Sequence, residues 1–304
     1  MMKTFKDTLP EALVTHITAI CGPRGLQWFD QLPETIRELE ADWSISVNKP
    51  FPGIEFNFVA PATANQEAVV LKIAPPFERT EIHAEAKYLR TREGHGAVKL
   101  IAEDRRLRAI LIERALPGEA LFTRFQDDPP SCVRPAIDVL RLILRLPPSD
   151  FTDVDTLDNW FENFRSYGET DFPKKYAEKA FEIYERLSVQ SGRIFYLHGD
   201  FHPGNIVAGT RAPFLAIDPK GIIGHLGYDI AVFLNNLQWW QNANPSMHNL
   251  LENAITEFAY SFDFAERELR EWAFAYMVIG AWWNFKDMPE FYDTDFAMID
   301  IWGV

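Results

Sequence analysis

The sequence predicts an α+β chain of two lobes: a small N-terminal lobe with an antiparallel sheet and a helix, and a larger, mostly helical C-terminal lobe. The chain has 304 residues, enough for two domains of about 150 residues each. Short β-rich runs fill residues 43–113, and helical patterns dominate after Leu116-Pro117-Gly118. We therefore expect lobes at residues 1–115 and 116–304.

Helical signals come first, between Leu9 and Glu40. Pro10 stands where a first helical turn tolerates proline, and Gly22-Pro23 is expected to end that helix. A second helical stretch is predicted to start after Leu32-Pro33.

The rest of the N-terminal lobe has the alternating and β-branched runs of short strands. Strands are predicted at residues 55–59, 68–73, 97–102 and 107–112, with a hairpin turn at 103–106 and a helix at 77–92 that Gly94 ends. Two strand pairs around one helix make a compact α+β lobe.

The C-terminal lobe is mostly helical, with one strand-rich interruption. One helix is marked by apolar residues at helical spacing: Tyr176, Ala180, Tyr184 and Leu187. Another is predicted at residues 265–285, where the apolar run Trp272 to Phe285 is too short to cross a bilayer. The interruption, residues 195–218, holds short strands at 206–207 and 214–217.

Composition and charge narrow the class of protein. The apolar fraction is 47% and the charged fraction 24%, as in soluble globular proteins, and two cysteines make no disulfide framework. The 30 basic and 44 acidic residues give a net charge of −14, which repels nucleic acid and anionic membranes and favours cationic small molecules. No signal segment is visible, so we expect a cytoplasmic monomer that binds neither nucleic acid nor membrane.

The strongest chemical signal is His198-Gly199-Asp200-Phe201-His202-Pro203-Gly204-Asn205. An H-x-D triplet with Asn five residues after the Asp has the spacing of a kinase catalytic loop. Phosphoryl transfer needs a carboxylate beside the attacking hydroxyl and oxygen ligands for Mg²⁺. Asp200 is the candidate base, and Asn205 and Asp218 are the candidate metal ligands. Asp218 taken alone would be an ordinary turn residue.

A lysine in an apolar strand is the second signal. Lys72, in Val70-Leu71-Lys72-Ile73, resembles the kinase lysine that holds the α- and β-phosphates. Its partner is expected on the next helix, where Glu85 is best placed and Glu81 is the fallback. The alternative is an edge-strand lysine that faces solvent.

Other nucleotide-binding patterns are absent from the sequence. No G-x-x-x-x-G-K-[ST] and no G-x-G-x-x-G occur, so a P-loop enzyme is excluded. The strand pair that should cover the phosphates offers Pro50-Phe51-Pro52-Gly53.

Two rival functions stay open. One is a metal-dependent hydrolase, in which imidazoles and carboxylates would bind zinc: His198, Asp200, His202, Asp218 and His225. That scheme gives Asn205 and Lys72 no role. The other rival is a nucleotide-binding module without turnover, whose usual sign, a lost base or metal ligand, is missing.

The motifs together resemble the aminoglycoside phosphotransferase family, and most closely its streptomycin and hydroxyurea phosphotransferase branch. The resemblance rests on His198-Gly199-Asp200 to Asn205, then Ala216-Ile217-Asp218-Pro219-Lys220-Gly221, with Ile112 to Gly118 as a hinge and Tyr228-Asp229 after the metal motif. It implies a bilobal, protein-kinase-like fold and an ATP- and Mg²⁺-dependent kinase that phosphorylates a small-molecule hydroxyl. The expected acceptor is an aminoglycoside of the streptomycin type, which the reaction would inactivate as an antibiotic; the alternative is a metabolite, an amino alcohol or a sugar.

The resemblance also assigns roles to residues. Asp200 is the base, Asn205 and Asp218 bind Mg²⁺, and Lys72 paired with Glu85 holds nucleotide phosphates. The adenine is expected on the backbone of Glu113, Arg114 and Ala115, and the supporting residues are His198, His202, Lys220 and Asp229.

Several of these residues have a second interpretation. Asp229 braces the catalytic loop or caps the helix predicted at 230–238, and Lys220 reaches phosphate or lies on the surface. The late acids are expected to form a solvated tail rather than a polycation pocket: Asp287, Glu290, Asp293, Asp295 and Asp300. Trp239-Trp240 and Trp282-Trp283 are expected in the core rather than stacked on a sugar.

Overall fold

The structure, a computed structural model, describes residues 5–77, 81–145, 153–189, 192–243, 249–287 and 292–304. The chain divides into two compact units, Met1–Leu116 and Pro117–Val304. Within the described part of the chain, no helix combines the length and the apolar character needed to span a membrane.

The first unit is a five-stranded antiparallel sheet with helices. Its elements are α1 (Glu11–Cys21), α2 (Pro23–Trp43), β1 (Ile45–Val47), β2 (Phe58–Ala64), β3 (Glu67–Ile73), α3 (Glu81–Arg92), β4 (Leu100–Asp104) and β5 (Ala109–Glu113). The strand order is β1-β2-β3-β5-β4, which makes β3 the central strand. Its core is formed by the buried faces of α1, α2 and the sheet.

The predicted start of the second helix after Pro33 is wrong, because α2 begins at Pro23 and runs through Pro33 without interruption. A helical proline loses the bond to the carbonyl four residues earlier, here Phe29. Burial outweighs that loss, since Phe29, Leu32 and Leu39 are each at most 1% exposed against the core. Pro23 is the first residue of α2, where its missing N–H costs nothing.

The predicted first strand is displaced toward the C-terminus. Residues 55–57 lie outside the sheet, and β2 runs from Phe58 to Ala64 although it contains Pro61. The Pro61 carbonyl accepts the N–H of Asn48 at 2.8 Å, and Asn48 is the first residue after β1. The backbone groups of Pro61 are therefore directed toward the β1 side of β2. A strand residue directs its N–H and carbonyl to the same side, so the proline removes no bond to β3.

The β4–β5 hairpin and the helix that precedes it, α3, also differ slightly from the predicted bounds. The turn between β4 and β5 covers residues 105–108 instead of 103–106, because the Asp104 carboxylate accepts the Leu107 N–H at 2.8 Å and closes the turn there. Helix α3 starts at Glu81, and residues 78–80 of the predicted helix lie outside the described residues. It ends where Glu93 and Gly94 take positive φ.

The second unit is mostly helical, with two small sheets. Its helices are α4 (Leu121–Arg124), α5 (Val133–Leu144), α6 (Leu157–Phe164), α7 (Lys174–Leu187), α8 (Gly227–Ala243), α9 (Leu250–Phe262), α10 (Glu266–Asp287) and α11 (Tyr292–Asp300). Its strands are β6 (Asp155–Thr156), β7 (Ile194–Leu197), β8 (Ile206–Ala208), β9 (Phe214–Ala216) and β10 (Ile222–His225). They form the sheets β6-β10-β7 and β8-β9.

Helix α10 fills the core of this unit, as its apolar sequence predicts. Trp272 is fully buried, and its ring leaves no room for a side chain at Gly227, where a Cβ would lie 2.3 Å from the Trp272 Cδ1. Trp282 is buried among Phe164, Phe172 and Phe285, as expected. Trp283 departs from the core prediction because it is 39% exposed.

Candidate active site

The catalytic motif lies on the loop between β7 and β8. Gly199 adopts a φ of +80°, and a Cβ there would lie 3.0 Å from the Cβ of Lys220, so both conformation and space require glycine. The carbonyl of His198 accepts the N–H groups of Lys220 and Gly221 at 2.8 and 3.1 Å. These bonds fasten the motif to the segment that follows β9.

His198 is the buried anchor of this loop. Its Nε2 lies 3.0 Å from the Ile217 carbonyl oxygen, and its Nδ1 accepts the N–H of Asp200 at 3.3 Å. A neutral ring protonated on Nε2 satisfies both partners. Burial lowers the pKa of His198 to about 3, so the neutral ring positions Asp200 and does not exchange protons at neutral pH.

Asp229 lies in the first turn of α8 and is fully buried. Its two carboxylate oxygens accept the N–H groups of His198 and Gly199, each at 2.8 Å. Burial raises the pKa of Asp229 to about 7, against the lowering effect of these two donors. Because α8 begins at Gly227, the N-cap interpretation is wrong, and the bonds fit the predicted brace.

Asp229→Asn is expected to loosen the loop and to destabilise the fold. The amide keeps one acceptor and turns its NH₂ group toward a backbone N–H, a mismatch that costs about 1–3 kcal/mol. We expect a lower urea midpoint and a lower kcat. Asp138→Asn, at a side chain that is 57% exposed, makes the same charge change and is expected to alter neither. Wild-type stability in Asp229→Asn would contradict the brace.

Asn205 closes the loop against Asp200. Its amide Nδ2 donates to the Asp200 carbonyl oxygen at 3.0 Å and to the carboxylate Oδ2 at 3.3 Å. The Asn205 carbonyl accepts the Ile217 N–H at 2.9 Å, which fixes the residue to the end of β9. Because the amide nitrogen makes both side-chain bonds, the amide oxygen is the atom suited to a cation.

Asp218 lies two residues after the end of β9 and is exposed. Its φ is +58°, a left-handed conformation that Asp adopts more readily than most residues. The backbone bond of Ile217 to Asn205 brings the two candidate ligand positions to the same end of the β8-β9 pair. A carboxylate and an amide oxygen there are the hard donors that Mg²⁺ prefers.

A zinc-type centre does not form in the described part of the chain. No group of three or more His, Cys, Asp or Glu side chains is arranged there to hold a metal. His225, which the hydrolase scheme requires, is instead buried and stacks on Trp272 with ring centroids 4.9 Å apart. The arrangement therefore disfavours the hydrolase.

The two remaining supporting residues lie in and beside the loop. His202 accepts the Gly204 N–H on Nδ1 at 3.0 Å, and its Nε2 is 3.9 Å from Asp200 Oδ1, beyond hydrogen-bond range. Lys220 is partly buried, and its suggested contact with phosphate stays a prediction.

Lys72 forms a buried ion pair in the first unit. It lies on β3 between Val59 of β2 and Ile110 of β5, so the edge-strand alternative is wrong. Its Nζ donates to Glu85 Oε2 at 2.6 Å, and the two side chains are 7% and 4% exposed. The structure thus pairs Lys72 with Glu85, which the sequence favours as the partner, and not with the fallback, Glu81.

Two of the three predicted adenine-binding residues already use their N–H groups. The N–H of Glu113 donates to the Lys99 carbonyl at 2.8 Å, and that of Arg114 to the Ala68 carbonyl at 3.3 Å. Across the described ranges, no backbone carbonyl accepts the N–H of Ala115. Among these three donors, Ala115 is therefore the one suited to a nucleotide base.

Sequence reasoning missed the aromatic residues beside Asp200. Burial raises the pKa of both Tyr228 and Tyr276, and the negative charge of Asp200 raises them further. Tyr228 contacts Tyr276 edge to face at 5.4 Å, and Trp160 contacts Tyr228 at 5.8 Å. These residues come from α6, α8 and α10, and no local motif links them.

The solvated-tail interpretation holds for only part of the late acids. Asp295 is 2% exposed, and its Oδ2 accepts an N–H of the Asn284 amide at 2.9 Å. The solvated-tail interpretation is therefore wrong for Asp295. Burial raises the pKa of Asp295. Asp300 is exposed and accepts the Tyr176 hydroxyl at 2.7 Å. The side chains of Asp287, Glu290 and Asp293 lie outside the described residues, as does that of Trp239.

Solved structures identify the fold. The chain matches an aminoglycoside phosphotransferase with a TM-score of 0.64 and 10% identity, over 89% of this chain and 98% of the other. It matches a choline kinase from Streptococcus pneumoniae with a TM-score of 0.62 and 12% identity, over 89% and 99%. The fold is that of the protein-kinase-like phosphotransferases.

Sequence comparison then gives the family. The profile described as "Aminoglycoside/hydroxyurea antibiotic resistance kinase" matches residues 50–288, and the chain belongs to this family. A streptomycin 6-kinase of Streptomyces glaucescens is 28% identical over 241 residues, 73% of each chain. A hydroxyurea phosphotransferase of Kitasatospora aureofaciens is 28% identical over 255 residues, 75% of this chain and 68% of the other. The protein is thus a phosphotransferase that acts on hydroxyl groups.

Proposed function

We propose that the protein transfers the γ-phosphoryl group of ATP to a hydroxyl of an aminoglycoside of the streptomycin type, with Mg²⁺. One observation carries the proposal: Asn205 bonds through its amide nitrogen to Asp200, the candidate base, and keeps its amide oxygen for a cation. A base and a metal ligand held by one contact are what a kinase catalytic loop requires.

The residues that would hold Mg²⁺ fit that ion. Asn205 and Asp218 supply an amide and a carboxylate oxygen, and Mg²⁺ characteristically completes its shell with water and phosphate oxygens. When bound, the ion neutralises charge that develops on the phosphates.

Asp200 has the surroundings of a general base. Its side chain is 31% exposed, so a substrate hydroxyl can reach it. The Asn205 amide holds Oδ2, while His198 holds the backbone N–H of Asp200. These contacts fix the carboxylate so that it can orient the acceptor hydroxyl and take its proton.

The acceptor class is supported by the relatives and by charge. Two relatives are named as streptomycin 6-kinases, and the net charge of −14 favours a cationic acceptor. A coupled assay of ATP consumption over streptomycin, other aminoglycosides, hydroxyurea, amino alcohols and sugars tests the proposal. We expect the highest kcat/KM with streptomycin. A higher kcat/KM for an amino alcohol or a sugar would overturn the acceptor and keep the kinase.

Lys72→Met is expected to weaken ATP binding and to slow transfer, because it removes the ammonium that holds phosphate oxygens. Glu85→Gln is expected to have a smaller effect in the same direction, since Glu85 holds Lys72 in place. Each single variant leaves the partner as a buried, unpaired charge, so its melting temperature is measured beside its kinetics, whereas the double variant leaves no unpaired charge. The measurements are the KM for ATP and kcat.

The double variant Lys72→Met/Glu85→Gln tests whether Glu85 acts by positioning Lys72 or acts independently of it. We expect losses that are less than additive, because both residues act through one contact. Lys99→Met, at an exposed lysine of the same unit, is the matched control and is expected to retain wild-type kinetics. Strictly additive losses would refute the pairing.

A further inference from the structure

Gly280 lies in the interior of α10, and none of the described residues packs closely enough to require glycine there. A Cβ added at Gly280 would meet no described atom within 4 Å, whereas the same addition at Gly227 of α8 would lie 2.3 Å from Trp272. Glycine lowers helix stability relative to alanine. The helix therefore keeps an open space over Gly280 at a cost to its own stability.

Two aromatic residues share the face of α10 on which Gly280 lies, and two more contact them. Tyr276 lies four residues before Gly280 and Trp283 three residues after it, so all three share one face of α10. Off the helix, Tyr228 contacts Tyr276 at 5.4 Å, Trp160 contacts Tyr228 at 5.8 Å, and Trp283 contacts Trp160 at 5.5 Å. We call these four rings the aromatic arc; it begins and ends on α10, on either side of Gly280.

The arc is accessible and held in place. Trp283 is 39% exposed, Tyr276 and Trp160 are partly exposed, and Tyr228 is buried behind them. The Trp160 indole N–H donates to Asp155 Oδ2 at 2.8 Å, which fixes the orientation of the ring. The three accessible rings thus present preorganised π-surfaces to solvent.

The arc is also tied to the catalytic loop. Tyr228 directly precedes Asp229, whose carboxylate binds the N–H groups of His198 and Gly199, next to Asp200. Tyr228 and Asp229 are consecutive residues of α8, so the near end of the arc lies on the same helical turn that braces the catalytic loop.

We propose that the aromatic arc and the open space over Gly280 form the acceptor subsite, which holds a guanidinium or ammonium group of the substrate while its hydroxyl meets Asp200. Aromatic faces attract such cations, and the negative net charge adds to the attraction. The inference rests on the proposed function and extends it to named acceptor-binding residues. It also predicts selectivity: a guanidinium-bearing acceptor such as streptomycin uses the arc, whereas neutral hydroxyurea does not.

Filling the space over Gly280 tests the site directly. Gly280→Ala is expected to raise the melting temperature, since alanine favours the helix and meets no neighbour. Gly280→Leu is expected to stay folded and to weaken streptomycin binding at least tenfold, with an unchanged KM for ATP. A Gly280→Leu chain that is folded and binds streptomycin as tightly as the wild type would overturn the subsite.

Trp283→Ala tests the role of the cation. Loss of one cation–π contact is expected to weaken streptomycin binding about 3- to 30-fold and to leave the KM for ATP unchanged. Tyr260→Ala removes an aromatic ring that is 91% exposed on α9 and serves as the matched control, with no expected change. Equal streptomycin affinities in Trp283→Ala and Tyr260→Ala would refute the cation contact.

Calorimetric titration with streptomycin needs no turnover, so it separates this inference from the proposed function. If the wild-type protein binds streptomycin and Gly280→Leu does not, the subsite is supported. If the wild-type protein binds streptomycin but consumes no ATP, only the kinase proposal fails. Streptomycin turnover with wild-type affinity in Gly280→Leu and Trp283→Ala overturns the subsite and leaves the kinase proposal standing. If streptomycin does not bind the wild-type protein, the subsite is refuted.

Discussion

Asp200→Asn is expected to reduce kcat by about 10²–10⁴-fold, the usual effect of losing a general base. The substitution keeps the size of the side chain and leaves the backbone N–H free to bond to His198 as before. The KM for ATP is therefore expected to stay near the wild-type value. Steady-state kinetics with streptomycin, or with the best acceptor of the screen, measures both parameters.

The control for this variant is another carboxylate of the second unit. Asp127→Asn makes the same chemical change at an exposed position and is expected to retain wild-type kcat. A near-normal kcat in Asp200→Asn would remove Asp200 from its role as base. A loss shared by Asp127→Asn would point to a general effect of charge.

The catalytic loop could be predicted from the sequence because its contacts are mostly local. Asp200, Asn205 and His198 lie within eight residues, so their spacing already encodes the bonds between them. Lys72 and Glu85 could also be paired, since a strand followed directly by a helix leaves few partners. The sequence favours Glu85 over Glu81 as the partner of Lys72, and the structure agrees with that choice.

Other features could not be predicted because they depend on distant parts of the chain. The brace from Asp229 to Gly199 spans 30 residues, so the sequence left two interpretations of Asp229 open, a brace and a helix cap. Trp282 and Trp283 are adjacent, yet one is 3% and the other 39% exposed, because neighbouring helical residues face different directions. Helix α2 passes Pro33 because the buried side chains around it compensate for one lost bond.

The aromatic arc could not be predicted for the same reason. Trp160, Tyr228 and Trp283 come from three helices and meet through the packing of the second unit. Each ring on its own fits an ordinary core position. The sequence does not show that they lie together on the side of α10 where Gly280 leaves space, because that depends on the folded chain.

Asp218→Asn is expected to reduce Mg²⁺-dependent turnover on the order of 10³-fold, since a metal ligand contributes several kcal/mol to stabilising the transition-state charge. Asparagine tolerates the left-handed φ of +58° at this position, so the variant removes the charge without straining the backbone. The remaining activity is expected to need a higher Mg²⁺ concentration. Titration of activity against Mg²⁺ at saturating ATP measures this shift.

Asp263 supplies the matched control, because it is an exposed aspartate with a φ of +57° in the same unit. Asp263→Asn is expected to leave both kcat and the Mg²⁺ titration unchanged, since Asp263 makes its bond to Arg193 through the backbone carbonyl. Asp263→Ala reports the cost of placing alanine in a left-handed conformation, about 1–2 kcal/mol, and so calibrates the stability of Asp218→Ala. If Asp218→Asn kept the wild-type Mg²⁺ titration and kcat, the metal would need a different set of ligands.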